Sequence, residues 1–164
     1  MKQIIYIIGL FLIVGCSTRK TILNNDEVFH FQIDRGNEYL ILKRAYNKQD
    51  SIELRNLLFE RHPENSTESN LDELLMRSQF NKRDLTSNNF NQILKELNKT
   101  KKSFIQKMCS PIYRDIIIIK SEKNIKEIVK ICLECEQSLI IKKDTIHFKM
   151  GNNYDKINKL LNNN

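Results

Sequence analysis

Tyr113-Arg114-Asp115-Ile116-Ile117-Ile118-Ile119-Lys120, then Ser121-Glu122-Lys123-Asn124, then Ile125-Lys126-Glu127-Ile128-Val129-Lys130-Ile131-Cys132, is the stretch that decides the fold. Both outer runs are crowded with β-branched residues, which fit a pleated, half-buried surface. The polar tetrapeptide between them is a turn, with Asn124 able to take a left-handed conformation. A four-residue turn pairs Lys120 with Ile125. That register sets Asp115 opposite Lys130, a favourable cross-strand pair. It also puts Ile116 and Ile118 on one face with Glu127 and Val129. A slip of one residue would exchange the faces.

Working outward, residues 138–141 and 145–149 read as further strands, and residues 154–161 as a closing helix with Ile157, Leu160 and Leu161 on one face. Upstream, Val28-Phe29-His30-Phe31 and Tyr39-Leu40-Ile41-Leu42 flank Asp34-Arg35-Gly36-Asn37. This is good turn chemistry and predicts a β-hairpin; a helix over residues 38–46 is the competing reading. Ile52, Leu54, Leu57 and Leu58 recur at near-helical spacing, and His62-Pro63 stops that helix, because the residue before proline avoids the helical region. Residues 64–70 are a polar loop and residues 71–77 a short helix. Thr86 or Ser87 caps an amphipathic helix carrying Phe90, Ile93, Leu94 and Leu97. The chain shows no internal repeat. Together these elements predict a single α+β domain over residues 27–164, an antiparallel sheet with helices packed on one side.

Composition fits that picture. Gly (4) and Pro (2) are scarce and Trp is absent, which argues against disorder and against a barrel rich in tight turns. Charge is uneven: residues 16–98 hold 12 Lys+Arg against 13 Asp+Glu, and residues 99–164 hold 14 against 7. A basic half favours anionic partners. The excess is mostly Lys alternating with aliphatics, whereas a nucleic-acid surface interleaves aromatics with Arg. The ordinary reading is a solvated basic face beside anionic lipid headgroups; a specific anionic ligand, lipid or glycan, is the alternative, and no nucleic acid is expected.

Residues 4–14 form an eleven-residue uncharged run directly after Lys2 and Gln3, closed by Ile13-Val14-Gly15-Cys16. A bilayer-spanning helix needs roughly 20 apolar residues, so the run has the length of a signal-peptide core. It resembles the lipobox of bacterial lipoproteins, with Ile13 where Leu is usual. The resemblance implies cleavage after residue 15, lipidation of Cys16 and a membrane held through that lipid. More than one acyl chain is needed for a lasting anchor, and the family supplies a diacylglycerol and an amide-linked acyl group. Ser17, where Asp would retain the protein at the inner membrane, implies an outer-membrane anchor facing the periplasm. Residues 17–26 then read as a tether reaching at most about 35 Å.

Cys109, Cys132 and Cys135 remain after Cys16. The hairpin brings Cys109 near Cys135, with Cys132 close by. Export favours oxidation, so a disulfide from Cys109 to Cys135 or Cys132 is expected. A Cys132–Cys135 bridge, three reduced thiols and a thiolate metal site completed by His147 or His30 are the alternatives. Cys109-Ser110-Pro111 with Ile131-Cys132-Leu133-Glu134-Cys135 resembles a pattern in small bacterial lipoproteins, and no activity comes with it. The thioredoxin pattern is not met, because Cys132 follows a β-branched run instead of opening a helix. The chain has no glycine-rich phosphate loop, HExxH or nucleophile elbow, and Asp72-Glu73, Glu134 and Glu136 read as solvated charges. The expectation is a lipid-anchored envelope protein without catalytic residues, cofactor or resident metal, acting as an interaction or structural module for a partner the sequence does not name. A thiol- or metal-dependent protein using Cys109, Cys132 and Cys135 is the alternative, and a binder of anionic lipid or glycan through the basic half is the other.

Overall fold

The computed structural model describes residues 26–44, 49–61, 63, 71–99, 109–150 and 153–162. Along the chain these form β1 (Glu27–Gln32), α1 (Arg35–Arg44), α2 (Gln49–Phe59), α3 (Leu71–Arg77), β2 (Asn81–Asp84), α4 (Ser87–Leu97), β3 (Asp115–Ser121), β4 (Asn124–Cys132), β5 (Gln137–Lys142), β6 (Thr145–Met150) and α5 (Tyr154–Asn162). The strands make one six-stranded sheet in the order β2-β1-β3-β4-β5-β6, and every neighbouring pair is antiparallel. The fold is α+β, as the sequence predicts. β1 is flanked by β2 and β3, which therefore run parallel to each other with α4 as their connection. From β3 onward the chain is a plain meander.

The helices occupy both faces of the sheet, which corrects the expectation of one side. Ile116 and Ile118 pack with Phe31, Leu54, Leu57, Leu58, Leu71 and Leu75, under α2 and α3. Ile117 and Ile119 pack with Phe90, Ile93, Leu97, Tyr154, Ile157 and Leu161, under α4 and α5. All four isoleucines are 3% exposed or less. A strand that faced solvent on one side would alternate apolar and polar residues. An unbroken isoleucine run is what burial on both faces demands.

The hairpin forms, but its register departs from the expected one. Ser121 pairs with Asn124 and Lys120 with Ile125; then a shift makes Ile119 face Glu127, Ile116 face Lys130 and Asp115 face Ile131. Lys126 is the extra residue of a β-bulge, so the rest of β4 changes faces. Ile128 joins Ile116 and Ile118, and Val129 and Ile131 join Ile117 and Ile119. Asp115 and Lys130 are not a cross-strand pair. The left-handed residues are Glu122 (φ 50°) and Lys123 (φ 70°) instead of Asn124. With both central residues at positive φ, the connection is a two-residue turn matched to the twist of its strands.

The N-terminal hairpin is not present. Asp34 is the cap of α1: its Oδ1 accepts from the Asn37 amide at 2.8 Å and its carbonyl accepts from the Glu38 amide at 3.0 Å. Residues that suit turns also suit helix starts, and here the helical reading wins. The partner of β1 is instead β2, Asn-Lys-Arg-Asp, whose residues are polar throughout. An edge strand of four residues buries too little to need an apolar pattern.

Helix α3 forms as expected, and Thr86 caps α4, its Oγ1 accepting from the Asn89 amide at 3.2 Å. Thr86→Ala is expected to cost about 1 kcal/mol, read as a lowered urea midpoint with unchanged slope. Tyr154, Ile157 and Leu161 of α5 are buried, with Leu160 partly so. Asp26, expected in the tether, belongs to the fold: its side chain is 1% exposed and bonds Lys126 Nζ at 2.7 Å. The rest of the expected tether and the expected leader, with Cys16, lie outside the described residues.

Candidate functional site

Strand β4 ends at Cys132, and the four residues before β5 fold back so that Cys132 pairs with Gln137. This turn carries Cys135 to the loop preceding β3. There Cys109 and Cys135 form a disulfide, with Cα atoms 5.7 Å apart and a sequence separation of 26. Of the pairings left open by the sequence, this is the one made. Cys132 is free and buried, 1% exposed. Its sulfur accepts from the Cys135 amide at 3.4 Å, a bond the turn imposes. The three cysteines therefore do come together, as one bonded pair and one enclosed thiol.

The surroundings of Cys132 lie on the α2–α3 face. Tyr113 is anchored by its amide, which donates to the Leu58 carbonyl at 2.9 Å. Burial, with Cys132 nearby, pushes its phenol up to about 12. Lys130, two residues before Cys132 on the same face, is 0% exposed. Its Nζ lies 4.7 Å from the centre of the Tyr113 ring and donates to the Glu60 carbonyl at 2.7 Å. Burial pushes this amine down to about 7. The ring and carbonyl offer it partial negative charge, and the charge of Glu60 partly offsets the downward push of burial. At the rim, Arg114 holds both Glu38 and Glu134, the latter at 2.8 Å, and Arg35 also meets Glu134. Donation from Arg114 holds the Glu134 carboxyl below its usual range. This chain of charges ties the start of α1 to the turn that carries Cys135.

A second polar cluster lies on the opposite face and was missed from the sequence. His30, 0% exposed, places Nε2 2.9 Å from Asp115 Oδ1. Arg83 Nε donates to His30 Nδ1 at 2.8 Å, and Arg83 Nη2 donates to Asn162 Oδ1 at 3.2 Å. Since Nδ1 accepts, Nε2 carries the proton and donates to Asp115. Both ring nitrogens are committed, so the histidine has none to offer a substrate. The cluster stitches β3, β1, β2 and the end of α5. Only the true register, with Gln32 facing Asp115 and His30 facing Arg83, brings these residues together.

His147 is on β6, paired with Ile140 on the α4–α5 face, while Cys132 and Cys135 belong to the other core. Neither histidine joins the cysteines. Among the described residues no group of three or more His, Cys, Asp or Glu could hold a metal ion. Of the carboxylates considered above, Asp72 bonds Lys120 at 2.5 Å and Glu134 bonds Arg114. No helix among the described residues is long and apolar enough to cross a membrane.

No protein family, curated protein or solved structure matches the chain.

Proposed function

We propose that this chain is a lipid-anchored protein of the bacterial cell envelope, and that its folded part is a non-enzymatic interaction or structural module. The observation that carries the reading is Ile13-Val14-Gly15-Cys16 closing a short apolar run. Two structural features support it. The fold takes hold at Asp26, just before the first strand, which leaves a nine-residue connection after Cys16. A Cys109–Cys135 disulfide suits the oxidising compartment that export implies. On the Ser17 argument, the anchor is in the outer membrane and the domain faces the periplasm.

The thiol-dependent alternative would need Cys132 to meet a partner's sulfur. Its enclosure under Tyr113, Lys130 and the α2–α3 face weighs against that role.

The test is Cys16→Ser. Wild-type protein is expected in the membrane fraction with a mass raised by diacylglycerol and an acyl group. The variant is expected to lose that mass and keep its leader. If wild-type mass carries no lipid, the anchor reading fails.

A further inference from the structure

The basic half identified in the sequence does not survive folding as one patch. Lys120 is bound to Asp72, Lys126 to Asp26 and Lys142 to Glu127, and Lys130 is interior. Of the other described lysines, Lys123 and Lys143 lie in hairpin turns, and a group gathers on the outer side of α4 and α5. Lys95, Lys99, Lys156 and Lys159 are exposed there. Lys149 of β6 faces the same way, since its partner Ser138 receives the Tyr154 hydroxyl of α5. The two helices expose one carboxylate between them, Asp155; their other acid, Glu96, is buried. Lys99 and Lys156 are themselves paired with Glu96, at 2.6 and 2.7 Å, but one buried carboxylate shared by two half-exposed lysines leaves the helix seam net positive. The other outward positions, such as Asn88, Asn91, Gln92 and Asn158, are amides. By contrast the sequence of α1, α2 and α3 carries equal numbers of acids and bases, five of each.

Resting on the lipid-anchored reading, we propose that this α4–α5 face lies against anionic lipid headgroups, its lysines meeting the phosphates of the membrane that holds Cys16. The argument is charge complementarity together with reach: a tether of about 35 Å at most keeps the domain within touching distance of the bilayer. The contact is electrostatic and superficial. The exposed large apolar residues, Tyr39, Ile52, Met76, Ile146 and Phe148, belong to α1, α2, α3 and the other side of β6, so among the described residues this face has no exposed large apolar side chain to insert. Basic clusters of this kind are drawn to anionic lipid and released by salt.

The test is amine footprinting of the purified full chain on vesicles of phosphatidylcholine alone or with about 30% phosphatidylglycerol. The acetylation rates of Lys95, Lys99, Lys149, Lys156 and Lys159 are expected to fall about threefold on the anionic vesicles and recover in about 0.5 M salt. Lys82, which lies over the Phe29 ring on the opposite face, should keep its rate. K95E/K159E should lose the protection at the other three lysines. Equal rates on both vesicles, or protection that includes Lys82, overturns the proposal. The mass of the same sample reports acylation separately. An unacylated chain is added to preformed vesicles and read by the same rates, so failure of the anchor and failure of the face are told apart.

Discussion

Raising the pH from about 7 toward 10 is expected to stabilise the folded domain by about 3–5 kcal/mol, and Lys130→Met is expected to abolish the rise. Lys130 is fully enclosed, and burial lowers its pKa from 10.5 to about 7. Between those values the unfolded chain binds a proton that the folded chain does not, so stability climbs with pH. The penalty is fully present below about pH 7 and gone above 10.5. Each unit of separation is worth about 1.4 kcal/mol. Tyr113 acts in the other direction: it keeps its proton to about 12 when folded but loses it near 10.0 when unfolded, so stability falls again above that point. The profile is a dome with its summit near pH 10. Urea midpoints across this range measure it, in a Cys132→Ala background so that no free thiol attacks the disulfide at high pH. A flat profile from 7 to 10 would show that Lys130 keeps its charge inside the core. Lys130→Met should also be more stable than the parent at pH 7, since an apolar side chain of similar size avoids the desolvation cost.

Opening the Cys109–Cys135 bond is expected to cost about 3–4 kcal/mol, because the bond closes a loop of 26 residues whose entropy in the unfolded chain it removes. Cys109→Ser and Cys135→Ser should lower the urea midpoint by equal amounts. Reduction of the wild type should match them. Cys132→Ser should leave the bond in place, and non-reducing peptide maps should show the Cys109–Cys135 peptide with Cys132 alkylated only after denaturation. A map dominated by Cys132–Cys135 would return weight to the thiol-dependent alternative.

How far the sequence reveals this molecule varies with the kind of signal. The β3–β4 hairpin, α3, the Thr86 cap and the closing helix are legible because local spacing alone specifies them. The proximity of Cys109 to Cys135 follows from the hairpin and tolerates a one-residue error. The facing of individual side chains does not tolerate it. The bulge at Lys126 turns Lys130 away from the face of Asp115 and into the other core, while the β1–β3 register sets Asp115 beside His30. The sequence carries faint marks of both outcomes: a lysine within Ile-Val-Lys-Ile-Cys, and four consecutive isoleucines that require two covered faces. Asp34-Arg35-Gly36-Asn37 misleads because the same side-chain oxygen that closes a turn also caps a helix. The all-polar β2 has no periodic signal at all, and only its ladder with β1 defines it. The α4–α5 face was legible as charge but not as place, since ion pairs across the sheet decide which lysines remain on the surface.

The place of β1 in the sheet has a mechanical consequence. Any pull on the residues preceding Asp26 enters the domain at β1, a strand held along both edges, by β2 and by β3. Tension along its axis loads the two ladders in shear, so their hydrogen bonds must yield together instead of one after another, as they would in a strand peeled from the rim. Asp26, clasped by Lys126 of β4, spreads the load to a third strand before β1 itself bears it. A domain moored by a short leash to a moving membrane would thus take its strain where the fold resists it best.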